Sequence, residues 1–400
     1  MKKRIYIVLT IVFIIFSLTS CKTIDQNGIK GKNVEKKKEV KEYNIIDFYM
    51  IDKNKGWCIS KEGILTTENK GVNWREVTPK DTYLVEFLSS YNKDNKKNIV
   101  YKFLDENIAF IAYRKENKVN IYRTLDRGKN WDTTLLELKD YTKDKNYNVQ
   151  LKVLDKDNGF VIINDMEHNE YYLYKTIDGG KNWIRLFKTT ILRENDITSI
   201  NEDRIRGITG NEDRIRGITG IEFKDKNYGF YTVKSTSSSH PLIFKTNNGG
   251  ENWSLQKLDI PKNYANVKGC TYTTYPPKFS KGNKKAYIPV EFNNGEKSII
   301  IFYKSNNGGE SWIPTVPIEK KPFIGINYGI DNDGILWIVD SDGNKIYRLQ
   351  NEEKDLQEIK SDINLNGKKI QFVTLNNGFL LDNNKVFITK DKGITWKKIK

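Results

Sequence analysis

Histidine, cysteine, methionine and proline are all scarce in this 400-residue chain, with two, three, three and nine copies. Two histidines leave little material for a histidine-based metal centre or acid–base relay. Three cysteines, at 21, 58 and 270, cannot build the multi-bridge framework of a small secreted scaffold. No apolar stretch reaches the length of an ordinary membrane span, the longest being residues 5–16. A Gly-rich phosphate loop, an HExxH pair and a GxSxG turn are all missing. Sustained 3.6-residue hydrophobic periodicity is missing too, whereas 22 tyrosines, 18 phenylalanines and many Ile and Val residues fall in short β-prone runs.

What the chain has is repetition. Six copies of one phrase read Thr/Ser, any residue, Asp/Asn, any residue, Gly, two of any kind, then Trp. They are Thr67, Asn69, Gly71 and Trp74; Thr124, Asp126, Gly128 and Trp131; Thr176, Asp178, Gly180 and Trp183; Thr246, Asn248, Gly250 and Trp253; Ser305, Asn307, Gly309 and Trp312; and Thr389, Asp391, Gly393 and Trp396. An Asp or Asn side chain can turn back onto backbone N–H groups, and Gly tolerates positive φ, so each phrase predicts a tight hairpin. The hydroxyl is a second local partner, and the Trp opens the return strand with a large surface to bury. These residues are structural on this reading.

A looser phrase precedes each copy: an acidic or Asn-rich turn, then a small residue and an aromatic. It runs Asp52 to Trp57, Asp105 to Phe110, Asp155 to Phe160 and Asp225 to Phe230, with weaker versions ending at Tyr287, Trp337 and Phe379. That makes seven units. Successive hairpin tryptophans lie 57, 52, 70, 59 and 84 residues apart. The last gap holds a degenerate sixth unit, whose worn hairpin is assigned to residues 341–344. The 70-residue gap contains an exact duplication, NEDRIRGITG at 201–210 and again at 211–220. Slack in a surface loop accounts for it, since long connections take extra residues at little entropic cost; an Arg-rich ligand loop is the alternative.

Four short strands per unit, illustrated by 45–50, 56–60, 63–67 and 74–77, give an all-β fold. Seven such units of roughly 50 residues predict a seven-bladed β-propeller of four-stranded blades over 44–400. Closure between complete sheets, without strand exchange, follows from where the first and last units begin and end. The hairpin phrase resembles the Asp-box, or BNR, repeat, and its pairing with an aromatic strand is similar to propellers related to photosystem II stability and assembly factors. The resemblance covers about 44–400 and implies the propeller fold. It leaves activity open, because the same repeat occurs in sialidases, other glycosidases and sorting receptors.

Lys2, Lys3 and Arg4, the apolar run and Leu18-Thr19-Ser20-Cys21 have the layout of a secretory leader over 1–20. The last four residues resemble a bacterial lipobox, which implies a diacylglyceryl anchor on Cys21 in the bilayer. An ordinary leader cut nearby is the alternative. Residues 21–43 then form a charged, disordered tether. Losing residues 1–20, with three basic and no acidic groups, takes the net charge from +16 to +13. That charge suits anionic head groups or acidic envelope polymers, or simply solubility. An exported address and the lack of a recognition motif argue against nucleic acid.

A sialidase needs an arginine triad, a Tyr–Glu pair and an Asp, and its relatives carry an Arg-Ile-Pro phrase. This chain has no Arg-Ile-Pro phrase, and Arg75, Arg123, Arg127 and Arg185 flank or enter hairpin phrases, so none is an obvious triad member; acidic pairs across the ring stay open. His168 and His240, with Asp165 or Glu167, could form a metal site, but loop histidines are the simpler reading, so no metal or cofactor is expected. Cys58 and Cys270 fall in units that are not neighbours and are expected to be free thiols. Binding is expected on the face opposite the hairpins, on long loops carrying Arg114, His168, Tyr171, Arg193, His240, Tyr272 and Tyr275. The sequence therefore predicts a monomeric, lipid-anchored, non-enzymatic propeller that binds a protein or an anionic polymer. A glycan-active enzyme is the alternative.

Overall fold

Runs rich in Tyr, Phe, Ile and Val, punctuated by Asp, Asn and Gly, become antiparallel strands throughout the chain. The computed structural model describes residues 42–399 apart from 92–98, 139–146, 166–169, 191–204, 207–213, 237–239, 262–270, 295–297, 321–326, 341 and 350–355. The leader, Cys21, the tether to residue 41, His168, Arg193 and Cys270 lie outside the described residues. The first sheet is Ile45–Met50, Gly56–Ser60, Gly63–Thr67 and Arg75–Glu76 in sequence order. Four more antiparallel sheets repeat this pattern, beginning at Ile99–Phe103, Tyr147–Val153, Tyr328–Ile330 and Lys369–Phe372.

Between them lies one eleven-stranded sheet. It contains two runs of the same kind, one starting at Arg214–Phe223 and one at Thr271–Thr274. They are joined because Thr271–Thr274 pairs with the end of Gly229–Thr236, where Lys234 faces Thr273. Bulges between Ile215 and Gly217 and between Ile218 and Gly220 bend the strand on the other side of Gly229–Thr236.

The core lies between sheets. Trp57, Ile59 and Ile64 pack against Phe103, Ile111 and Tyr113 of the next sheet, and Val149 and Val161 meet Ala112 and Ile121 in the same way. The series closes on itself, because Phe48, Met50 and Leu65 of the first sheet share a cluster with Phe379, Leu381 and Val386 of the last. Gln371 spans this seam with its side-chain amide: Oε1 accepts from Met50 N and Nε2 donates to Met50 O, both at 2.8 Å. Among the described residues no strand is exchanged across it.

Three features depart from the sequence reading. Thr82–Ser89 is an α-helix, so the fold is nearly rather than wholly all-β. Asp81 caps it by accepting from Leu84 N at 2.9 Å, and Leu84 and Leu88, one turn apart, are buried. The worn hairpin assigned to 341–344 does not fall between third and fourth strands: Asp340 and residues 342–344 lie between Leu336–Val339 and Lys345–Leu349, the second and third strands of their sheet, and residue 341 is outside the described residues. Leu349, facing Leu336, occupies the position that Thr176 takes opposite Gly159. The third-to-fourth connection is 350–356, mostly outside the described residues.

The duplicated decapeptide is likewise more than loop slack. Arg214–Phe223, within and just after the second copy, is an inner strand with Ile218 and Ile221 buried. Ile205–Arg206 of the first copy pairs parallel with Trp253–Ser254 at the opposite edge of the same sheet.

Candidate functional site: the basic channel between the first strands

Each hairpin phrase builds the same small network. The Thr or Ser hydroxyl donates to the Asp/Asn Oδ1 at 2.7–3.1 Å and accepts from the Gly N at 2.8–2.9 Å. The same Oδ1 accepts from the residue four further on, as Asn182 N shows at 3.0 Å for Asp178. Two consecutive residues take positive φ, the phrase Gly and the one before it: Lys70 and Gly71, Arg127 and Gly128, Gly179 and Gly180. Trp253, Trp312 and Trp396 are buried, and Trp131 Nε1 donates to Val77 O of the neighbouring sheet at 2.7 Å. These residues hold the sheets together.

The second phrase explains itself equally locally. Asp155 Oδ1 accepts from the backbone N–H groups of Asp157 and Asn158, both at 2.8 Å, and Asp52, Asp105 and Asp225 make the same turn. The two phrases then lock together. The residue before the hairpin Gly donates to a carbonyl of the first turn in all six phrases, as in Gly179 N to Asp157 O at 2.7 Å. Both turns therefore lie on one face.

The small residue of the second phrase faces a large one on the first strand. A Cβ on Gly229 would lie 2.5 Å from Phe223 Cδ1, and one on Gly378 would lie 2.7 Å from Phe372 Cδ1. The aromatic that follows is buried in every unit: Trp57, Phe110, Phe160, Phe230, Tyr287, Trp337 and Phe379. Its cross-strand partners are Tyr49, Lys102, Lys152, Glu222, Lys278, Gly329 and Gln371. One register thus places these seven positions at a single level of the first strands.

Those first strands surround a common channel. Between the first three sheets it widens into a cavity of about 480 Å³ lined by Ile46, Tyr91, Tyr101, Asn148, Gln150 and Lys152 among others. Lys152 Nζ lies 2.7 Å from Glu222 Oε2, linking two sheets. Lys278 Nζ donates to Tyr328 O at 2.6 Å and sits 3.8 Å from the centre of the Tyr328 ring. Lys102 has no hydrogen-bond or ion-pair partner among the described residues. One layer further in, Lys369 Nζ is 3.0 Å from Asp47 Oδ2, which also accepts from the Tyr101 hydroxyl. The protein atoms crowding the channel lower the Lys278 ammonium pKa to about 8 even though the side chain itself stays exposed to channel solvent, with Lys369 and Lys152 adding to the fall and Glu222 opposing it. The same crowding lowers that of Lys102, which feels both Glu222 and Lys152.

The loop residues expected to bind take other places. Tyr171 is buried and its hydroxyl donates to Ile218 O at 2.9 Å; Tyr272 is buried edge-on against Phe292. Packing between sheets therefore claims both. Tyr275 is half-buried with its hydroxyl donating to Glu291 at 3.2 Å, and burial raises its pKa. Arg114 donates to Tyr147 O at 3.1 Å and lies over the Tyr147 ring, while His240 Nδ1 is 3.2 Å from Leu258 O. The register does not bring this set to one point, and His168 and Arg193 lie outside the described residues.

Arg123 pairs with Asp132 at 2.7 Å and Arg127 with Glu68, both beside hairpins rather than in the channel. Cys58 is a buried free thiol. Sequence reasoning missed the channel lysines. Their signal is an offset, Lys102, Lys152 and Glu222 each standing eight residues before the second-phrase aromatic.

Inter-sheet packing, a closed seam and Asp-box hairpins define a β-propeller of the kind the sequence resembles. No family model matches the chain and no curated relative matches it. Among solved structures, YCF48 from Cyanidioschyzon merolae shares 18% identity and a TM-score of 0.51, over 88% of this chain and 96% of that one. A YCF48 bound to D1 peptide gives 17% and 0.44 over 87% and 93%. The GH74 xyloglucanase from Xanthomonas campestris gives 10% and 0.48 over 89% of this chain and 54% of its own. The fold is shared with YCF48; at these identities nothing more is carried across.

Proposed function

We propose that this chain is a seven-bladed binding propeller, held by a lipid on Cys21 at the extracytoplasmic face of the cell membrane, whose partner is an acidic protein or anionic envelope polymer. The lysine-rich channel mouth carries the binding reading. Two carboxylates between the first strands, Asp47 and Glu222, are both ion-paired with lysines, an arrangement suited to holding an anion and unlike the free acid–base pair that glycoside hydrolysis uses. Seven hydrophobic clusters, each shared by successive units, support the count of seven, with the eleven-stranded sheet supplying two blades. The lipobox-like Leu18 to Cys21 supports the anchor.

Two measurements test the reading. Cys21→Ala is expected to move the protein from the membrane fraction to the medium, and retention at the membrane counts against lipidation. Purified protein is expected to leave a fluorogenic sialoside and aryl glycosides intact; turnover abolished by Glu222→Gln would make it an enzyme.

A further inference from the structure

Lys102, Lys152 and Lys278 come from three different sheets and meet at one level of the channel, one strand residue short of the turns on the hairpin face. Glu222 is the only acid at that level, so three ammonium groups and one carboxylate leave a charge of +2. The Lys369–Asp47 pair behind them is neutral overall. Lys102 and Lys278 are open to the solvent of the channel and Lys152 and Glu222 partly so, which lets an anion reach them, and like charges held this close repel one another unless an opposite charge joins them. Here Glu222 neutralises one lysine and no described group neutralises Lys102.

We propose that this ring is a binding site for a phosphate-type oxyanion, entering the channel from the hairpin face. A carboxylate is best matched by the planar fork of arginine, and no arginine stands in the ring. Lysines are mobile point charges that suit a compact anion bearing charge on several oxygens, and a phosphate dianion would balance the +2. The site rests on the binding reading above and gives it a ligand class. The anion could arrive as free phosphate or as one group of a phosphodiester polymer, since both present the same oxygens.

The depressed Lys278 adds a signature. Lys152, Lys369 and Glu222 face it from the other first strands, and Tyr275 and Tyr328 stand beside it. Raising the pH through about 8 removes the Lys278 proton in the free protein. A bound anion favours the protonated form, so binding takes up protons and weakens as pH rises from neutrality.

The test is calorimetric titration of the full chain, at fixed ionic strength, with inorganic phosphate, oligo(glycerol phosphate) and oligoglutamate. Expected are phosphate binding that weakens above neutral pH, at least a tenfold loss of affinity in Lys102→Gln and Lys278→Gln, and no change in Lys61→Gln on the opposite face. Without ligand, Lys102→Gln should melt at or above the wild-type temperature, which separates lost binding from misfolding. Tighter binding of the polymer identifies the phosphodiester source, and binding of phosphate alone the soluble one. Phosphate affinity untouched by the channel variants, or absent in the wild type, overturns the site. Oligoglutamate bound through the same lysines while phosphate is refused overturns the ligand class and leaves the binding reading standing.

Discussion

Asp178 shows how much of this protein is decided within eight residues. The Asn182 backbone N–H, with the Asn182 amide and Thr176 hydroxyl, lowers its carboxyl pKa to about 2. A carboxylate with a depressed folded pKa contributes stability that is complete above the unfolded value of about 3.9 and is lost as pH falls toward about 2. Asn69, Asn248 and Asn307 fill the equivalent position without a charge. Asp178→Asn is therefore expected to change stability at pH 7 by no more than roughly 0.5 kcal/mol. It should also flatten this residue's share of the acid limb in melting curves taken between pH 4 and 2. A second residue-scale case is Arg348, fully buried 4.0 Å from buried Asp331 and stacked over Phe372. Burial raises the Asp331 pKa, against two backbone N–H donors and the arginine. Arg348→Met should cost roughly 3 kcal/mol at pH 7 by stranding that carboxylate. The loss should shrink at pH 4, and Asp331→Asn in the same chain should recover most of it, as a denaturation-based double-mutant cycle can read.

Elements are where sequence reasoning met competition from neighbouring segments. The strands of the first sheet were legible to within a residue or two, because turn chemistry and β-prone runs agree there. The helix at Thr82–Ser89 escaped because two turns are too short for periodicity to register, although Asp81, Leu84 and Leu88 spell a cap and one apolar face. Asp81→Ala should cost about 1 kcal/mol for the lost cap, and it also strips the Tyr122 hydroxyl of its acceptor. The duplication carries a sharper lesson. Its copies are identical, so removing either yields the same chain, and the surviving copy runs directly into Ile221 as the inner strand. Among the described residues, the two-residue parallel pairing of Ile205–Arg206 is what would be lost. A ten-residue deletion should leave the melting temperature nearly unchanged, and a large fall would show that the outer pairing holds the sheet.

For the whole molecule the seam between first and last sheets is the place where closure is tested. Gln371 there does with one side chain what a paired strand does with its backbone. Gln371→Ala leaves Met50 N and O without those bonds and should cost about 1–3 kcal/mol in chemical denaturation. Gln371→Glu should do comparable harm, since a carboxylate can accept from Met50 N but cannot donate to Met50 O.

The sequence by itself determined the hairpins, the inward aromatics and the nearly all-β class, because each rests on bonds within a few residues or on a two-residue alternation of strand faces. Tertiary structure alone decided what those units enclose. Lys102, Lys152, Glu222 and Lys278 are ordinary surface-type residues in the text of the chain, far apart and unremarked by any motif. They become a charged ring only because the same register recurs on successive sheets and the sheets close on one another. Packing likewise took Tyr171 and Tyr272 out of the expected binding face and put them in the core. Local chemistry writes the repeat, and the charge at its centre exists only once the repeats are assembled.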